Sequence, residues 1–323
     1  MIRLSIAAAT IFMMLAAPGY PADYPARPVR LIVPYAAGGN ADIVGRLVGQ
    51  RLAENLGQPV VIDNRGGANS IIGTAVAAKS PPDGYTLLIV APAIATNPSM
   101  VKELPYDTLR DLAPISLVGS TPIILVAHPS LPGRTLKELI ALARARPGEL
   151  NYASSGHGSP ANLAGALMNL MAGIKLVHVT YKGTAQATND VIAGHMHLGF
   201  PSMTSVLPHV KAGKLKALGI TGLKRSPLAP EIPTVAEGGL PGYQASIWNG
   251  LLAPAGTPGP VIARLNAETV KGLGSPEMRA RFAGLGADVE TSSPGDFRAF
   301  IESETKKWAR VIRESGIRVE LQR

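Results

Sequence analysis

Val33-Pro34-Tyr35-Ala36-Ala37-Gly38-Gly39-Asn40-Ala41-Asp42 is the stretch in which the chain first shows its architecture. Residues 29–35, which run into it, are mostly apolar and read as a strand. Beyond it, Ile43, Leu47, Val48, Leu52 and Leu56 recur at helical spacing, and Gly57 closes the element. Gly38 and Gly39 lie at the junction. They let the backbone turn sharply and come close to a ligand. In open α/β sheets ligands bind at the carboxyl ends of strands. A helix start there presents unpaired N–H groups and a partial positive charge, which suit an anion. Asn40 or Asp42 is expected to cap that helix. A plain strand-to-helix turn needs the same glycines, so this stretch alone leaves the function open.

Outward from it, the pattern repeats. Residues 59–63 read as a second strand, 69–79 as a helix and 85–90 as a third strand. Such alternation implies a parallel sheet with helices on its faces. Residues 91–111 are less regular. Strands are expected at 115–118, 122–127, 150–153, 177–181, 197–200 and 215–221, and helices at 136–145, 162–171 and 186–193. A Pro-rich connector covers 226–241, a strand follows at 248–253, and two or three amphipathic helices finish the chain. The last buries Phe297, Ile301, Trp308 and Ile312 on one face. The fold class is α/β, in two lobes with a central cleft. Residues 23–122 plus 226–323 form lobe 1, and 123–225 form lobe 2. Clefts at lobe interfaces are usual ligand sites.

A second candidate site is Ser154-Ser155-Gly156-His157-Gly158-Ser159-Pro160-Ala161-Asn162. It again runs from strand end through a flexible turn to a helix start, and Ser154, Ser155 and Ser159 add hydroxyl donors. Gly156, Gly158 and Ala161 match Gly-x-Gly-x-x-Ala. No acidic residue follows about 20 positions later at a strand end, as a dinucleotide ribose needs. A third candidate is Tyr181-Lys182-Gly183-Thr184, where Lys182 is either a counter-charge for an anion or a solvated surface lysine.

Composition narrows the choice. With 323 residues, 46% of them hydrophobic and 16% charged, the chain can bury sizeable cores, which excludes disorder. The absence of cysteine excludes disulfides, thiol nucleophiles, iron–sulfur clusters, cysteine zinc sites and a lipoprotein anchor. The net charge of +9 is spread thinly, with no basic run longer than the pairs Lys224-Arg225 and Lys306-Lys307. Nucleic acid is therefore not expected as a partner. Residues 1–22 have the layout of a secretory signal peptide: Arg3, a short apolar run over 4–17, then Pro18 and Gly19. Cleavage is expected to leave a mature start within 20–24 and a soluble exported protein.

No Gly-x-Ser-x-Gly elbow and no Walker loop occurs. His195 and His197 lack a carboxylate cluster to complete a metal site, so no metal and no cofactor are expected. With no evident nucleophile and base, binding is favoured over catalysis. Two other readings stay open: an exported hydrolase with Ser155 or Ser159 as nucleophile, and a sensing module that shows its ligand to a signalling partner.

The ordered motifs point further. They are Val33-Pro34-Tyr35-Ala36-Ala37-Gly38-Gly39 with Asp42, Asp63-Asn64-Arg65, Pro82-Asp83-Gly84-Tyr85-Thr86-Leu87, Asn97-Pro98-Ser99 and Leu104-Pro105-Tyr106-Asp107. Tyr152-Ala153-Ser154-Ser155-Gly156, Tyr181-Lys182-Gly183, the series from Leu207 to Gly213, Pro233-Thr234-Val235-Ala236-Glu237 and the series from Leu252 to Pro258 continue them. Together they resemble the receptor proteins of the tripartite tricarboxylate transporters, the Bug family, over the whole mature chain. The resemblance implies a periplasmic solute receptor of the Venus-flytrap, type II-like kind, whose lobes are joined by crossing strands. It implies a small organic acid ligand, a large and a small integral membrane transporter subunit as partners, and a monomer. The acid would lie between Tyr35, Ala37, Gly38, Gly39, Asn40 and Asp42 on one side and Ser154, Ser155, Gly156, Gly158, Ser159, Asn162, Lys182 and Gly183 on the other. This sequence departs from the family habit at Asn40 (often Pro or Ser), Gly66 (often Pro), Asn162 (often His), Ala166 (often acidic) and Ser202 (often Asp). The second-lobe departures bear on which acid is bound.

Overall fold

The computed structural model describes residues 24–317, so the expected signal segment lies outside the described residues. The first lobe begins with β1 (Val29–Val33), α1 (Asn40–Leu56), β2 (Val60–Asn64), α2 (Ile71–Ala78) and β3 (Thr86–Val90). As expected, β1 lies parallel to both β2 and β3. Gly57 ends α1 in the left-handed region (φ +70°), which costs glycine nothing.

A helix then appears where the sequence looked irregular: α3 (Ala93–Met100), which carries Pro98 in its interior. The long strand β4 (Leu112–Pro122) leads almost without a break into β5 (Ile124–Ala127), which belongs to the other sheet. This is one crossing segment. The return crossing lies just before β10 (Ser246–Pro254), where Ala245 N donates to Thr221 O and Ser246 pairs with Pro122.

The second lobe contains α4 (Leu136–Ala145), β6 (Asn151–Ser154), α5 (Pro160–Ala172), β7 (Val177–Thr180), α6 (Thr184–Ile192), β8 (Leu198–Gly199), α7 (Met203–Lys211) and β9 (Lys216–Ile220). After β10 come α8 (Gly259–Leu273), α9 (Pro276–Gly284), β11 (Asp288–Val289) and α10 (Pro294–Ser315). The first sheet has the order β11-β4-β10-β3-β1-β2 and the second β7-β6-β8-β5-β9. The runs β2-β1-β3 and β7-β6-β8 therefore match, each with its first strand flanked by the next two. Neither sheet is wholly parallel. β10 runs antiparallel to β3 and β4, and β5 antiparallel to β8 and β9, because the crossing strands travel between the lobes instead of returning through a helix.

The connector packs its buried Ala229 and Ile232 into the second sheet's core beside Ile124, Val126 and Ile220, and Thr234 bridges Ile220. Its contacts thus lie with the second sheet. The largest core joins residues of both lobes: Ile32 and Leu88 from the first sheet, Leu125 and Tyr152 from the second, and Trp308 and Ile312 from α10. In β10, Gly250 makes room for α10, since a Cβ there would sit 2.0 Å from the Phe297 ring. α10 thereby anchors both lobes along one side.

Candidate functional site

β1 and β6 hold equivalent places in their sheets, and each feeds a tight loop into a helix facing the cleft. In the first loop Gly38 is left-handed (φ +82°) and Gly39 is the N-cap of α1. No side chain caps this helix, contrary to the expectation for Asn40 or Asp42. Instead Asp42 reaches back: its Oδ2 accepts from Gly38 N at 2.8 Å and from Arg46 Nε at 3.0 Å, and its Oδ1 accepts from Asn64 Nδ2 at 2.9 Å. Asp42 is 2% exposed. Burial alone would raise its pKa. The hydrogen bonds from Arg46, Gly38 N–H and Asn64 outweigh burial and hold the carboxyl below the ordinary carboxylate value.

The second loop has the same plan. Gly158 is left-handed (φ +73°), Ser159 is the N-cap of α5, and Ser159 Oγ accepts from Asn162 N at 3.3 Å. Asn162 takes the place of Asp42: its Oδ1 accepts from Gly158 N at 2.9 Å. Its Nδ2 donates to the Tyr152 hydroxyl at 3.1 Å. A third group braces the loop from behind. Ser154 Oγ accepts from Gly156 N at 3.1 Å and lies 2.6 Å from His178 Nε2. Burial, aided by the neighbouring His157, pushes the His178 pKa down to about 4, so the ring is neutral at ordinary pH.

Between the loops lie two joined chambers of about 550 and 510 Å³ that share Asn40, Ser155, Pro160 and Ile247. Of the residues expected at the site, Tyr35, Gly39, Asn40, Ser155, Gly158 and Ser159 line the first chamber. Asp42, Gly38, Gly156, Ser154 and Asn162 stand behind the loops as braces, through the bonds just described. Ala37, Lys182 and Gly183 line neither chamber, and Lys182 is exposed. His157 is exposed and lies edge-on to His178 with ring centres 5.1 Å apart, and it also lines the first chamber.

Several contributors were not foreseen. Among the described residues, the N–H groups of Asn40, Ala41 and Ala161, in the first turns of α1 and α5, have no acceptor. Ala41 lines the first chamber and Ala161 the second. The start of α3, at Pro92 and Ala93, also opens on the first chamber, as do Asn69 and Thr96. Helix starts of α1, α3 and α5 therefore converge there. Among the described residues, no Lys, Arg, Asp or Glu lines either chamber. Helix ends and peptide N–H groups are therefore the features of the lining that favour an anion small enough to reach them.

Comparison with known proteins agrees with this geometry. The sequence signature described as "Tripartite tricarboxylate transporter family receptor" matches residues 44–317. The chain is 40% identical over 307 residues to Protein BugT of Bordetella pertussis, covering 94% of each chain. A Rhodopseudomonas palustris protein solved with adipate is 36% identical, with a TM-score of 0.75 over 92% of this chain and 99% of its own. MatC of the same genus and species, solved with bound malate, is 31% identical, with a TM-score of 0.71 over 90% of this chain and all of its own (100%). A ligand-free solute-binding protein from Polaromonas reaches a TM-score of 0.81 at 28% identity, over 90% of this chain and 99% of its own.

Proposed function

The chain belongs to the tripartite tricarboxylate transporter receptor family of Bug proteins, and from that premise we propose that it is a periplasmic receptor which captures a small organic acid in the cleft. It then passes the acid to a membrane transporter built of a large and a small integral subunit. The observation that carries the ligand class is the convergence of three helix starts on a chamber whose lining, among the described residues, includes no Lys or Arg. The acid's carboxylate accepts from the free N–H groups of Asn40, Ala41 and Ala161. Each helix end adds about 0.3–1 kcal/mol, and each N–H bond to the charged group about 1.5–3 kcal/mol. Related proteins solved with adipate and malate support the carboxylate class. Among the described residues no helix is long and apolar enough to cross a membrane, which fits an exported receptor.

The hydrolase reading loses its chemistry. Among the described residues, Ser155 and Ser159 have no histidine partner, and Ser159 Oγ caps α5. Ser154, which does meet a histidine, is buried and turned back on Gly156 beside the half-buried His178. Binding, not turnover, is therefore the proposed activity.

The test is a thermal-shift screen of the mature protein against a carboxylate library, repeated on Gly39→Val. Gly39 has an ordinary φ of −77°, and a Cβ there approaches nothing closer than Ala36 O at 3.4 Å, so the variant folds. The expected result is stabilisation by one acid, about 2.7 kcal/mol at a hundredfold excess over its dissociation constant, and at least tenfold weaker binding in the variant. Stabilisation by no acid, or an unchanged affinity in Gly39→Val, would refute the reading.

A further inference from the structure

Between β2 and α2 the backbone passes through four consecutive left-handed residues: Gly67 (φ +128°), Ala68 (+47°), Asn69 (+51°) and Ser70 (+72°). Three of them carry a side chain. Such residues keep this conformation only where the surroundings fix it, and fixed strain of this kind gathers at ligand sites. The fixing contact is Asn97 of α3, which is 0% exposed. Asn97 Nδ2 donates to the main-chain oxygen of Asn69 at 2.9 Å. A carbonyl oxygen only accepts, so this bond settles which way the Asn97 amide points. Its Oδ1 then faces the Asn69 side chain and accepts from Asn69 Nδ2 at 2.7 Å. The Asn69 amide is thus oriented as well. It keeps one N–H and its carbonyl oxygen unspent, and it lines the first chamber.

We propose that Asn69 is a specificity-determining residue of the cleft, and that it selects an acid whose second polar group is a carboxamide over one with a second carboxylate. The proposal rests on the reading that the first carboxylate is held by the helix starts. A carboxamide can donate to Asn69 Oδ1 and accept from Asn69 Nδ2, closing a pair of antiparallel bonds. A carboxylate has no donor. It can take the one N–H, but its lone pairs then face Asn69 Oδ1. Among the described residues, no Lys or Arg in the chamber lining offsets its charge. Asn69 itself is exposed in the open cleft; once a ligand covers it and excludes water, polar groups left without partners make the site discriminate.

The experiment uses matched probes on the mature protein at pH 7: succinate against succinamate, glutarate against glutaramate, and adipate against adipamate, by calorimetry. The monoamide of at least one pair is expected to bind tenfold more tightly or better, which corresponds to about 1.4 kcal/mol. In Asn69→Gly, which removes the amide and suits the left-handed backbone, that preference falls below twofold. Asn69→Ala repeats the test, since Ala68 next door already holds the same backbone region. Diacids that bind as well as or better than their monoamides overturn the proposal, and so does a preference that survives in both variants. Binding by neither member of any pair overturns the helix-start reading, and the proposal falls with it.

Discussion

Gly38-Gly39-Asn40-Ala41-Asp42 in the first lobe and Gly158-Ser159-Pro160-Ala161-Asn162 in the second share one order of parts: a left-handed glycine, an N-cap, an alanine at the second helical position, and a side-chain acceptor four residues after the glycine. They differ in charge. The first acceptor is a carboxylate, paired with Arg46 and bonded to Asn64. The second is a neutral amide that leans on Tyr152. In the first loop a carboxylate, partly compensated by Arg46, lies directly behind the helix start and offsets part of its positive end. In the second loop nothing does. Under the proposed function, the difference predicts that the second lobe supplies the less opposed anion site, whereas the first loop is braced by more side-chain bonds.

The largest expected effect is on stability. Asp42→Ala leaves the Gly38 N–H without its acceptor and removes one bond each from Asn64 and Arg46, which keep their bond to each other, and should cost about 3 kcal/mol in urea unfolding. Asn162→Ala strands fewer partners and should cost about 1–2 kcal/mol. Equal losses would break the contrast between the two loops.

Next comes affinity. Asn162→Asp sets an unpaired carboxylate behind the second helix start. At about 8 Å and an effective dielectric of 20, its repulsion of a bound carboxylate is about 2 kcal/mol, or roughly thirtyfold in dissociation constant. Asp42→Asn, where Arg46 already compensates, should change the affinity less than about threefold. If the two variants moved affinity alike, the ligand charge would sit midway between the loops.

Acid response should separate the loops more gently. The folded His178 pKa is lowered to about 4 by burial, with His157 adding to the effect, while an unfolded His titrates near about 6.5. The unfolded chain binds this proton first, so the His178 contribution is complete above about pH 6.5 and declines as pH falls towards 4. The folded Asp42 pKa is also lowered, so its contribution is complete above about pH 4 and is lost only as pH falls through the lowered value. His178→Gln should flatten the stability curve between about pH 6.5 and 4, and Asp42→Asn should flatten it only below about pH 4. The second lobe would then loosen first on acidification. The smallest effect is expected for His157→Asn, less than about twofold in affinity between pH 6 and 8, because His157, though it lines the chamber, is exposed to solvent. A strong pH dependence that vanished in this variant would make His157 a direct ligand contact.

The two loops were legible in sequence because glycines and small polar residues at a strand-to-helix junction admit few geometries. α4 was legible to its last residue for a similar local reason: Thr135 and Glu138 form a capping box. α3 and α7 were not, since Pro98 and Pro208 lie inside them and the surrounding packing overrides the local preference. β4 was read as residues 115–118 but spans eleven residues. Pro114, Gly119 and Ser120 are poor strand formers, yet pairing with β10 and β11 extends the strand through them. At the site, Asp42 and Asn162 were legible as polar groups at the two helix starts, but not their bonds back to the Gly38 and Gly158 N–H groups. Whether such a side chain faces the ligand or braces the backbone depends on partners distant in sequence, here Asn64 and Tyr152. Asn69 was invisible for the same reason, because only the buried Asn97 holds it in place.

The free donors at positions 41 and 161 are peptide groups, and heredity acts on them in an unusual way. A mutation that exchanges a side chain leaves the peptide N–H intact, and only proline deletes it. The capacity to grip an acid is therefore shielded from most single-codon changes, while Tyr35, Asn69, Thr96 and Ser155, which line the same chamber, are open to change. A descendant of this chain could trade one cargo for another in small steps and keep a working anion site at each of them.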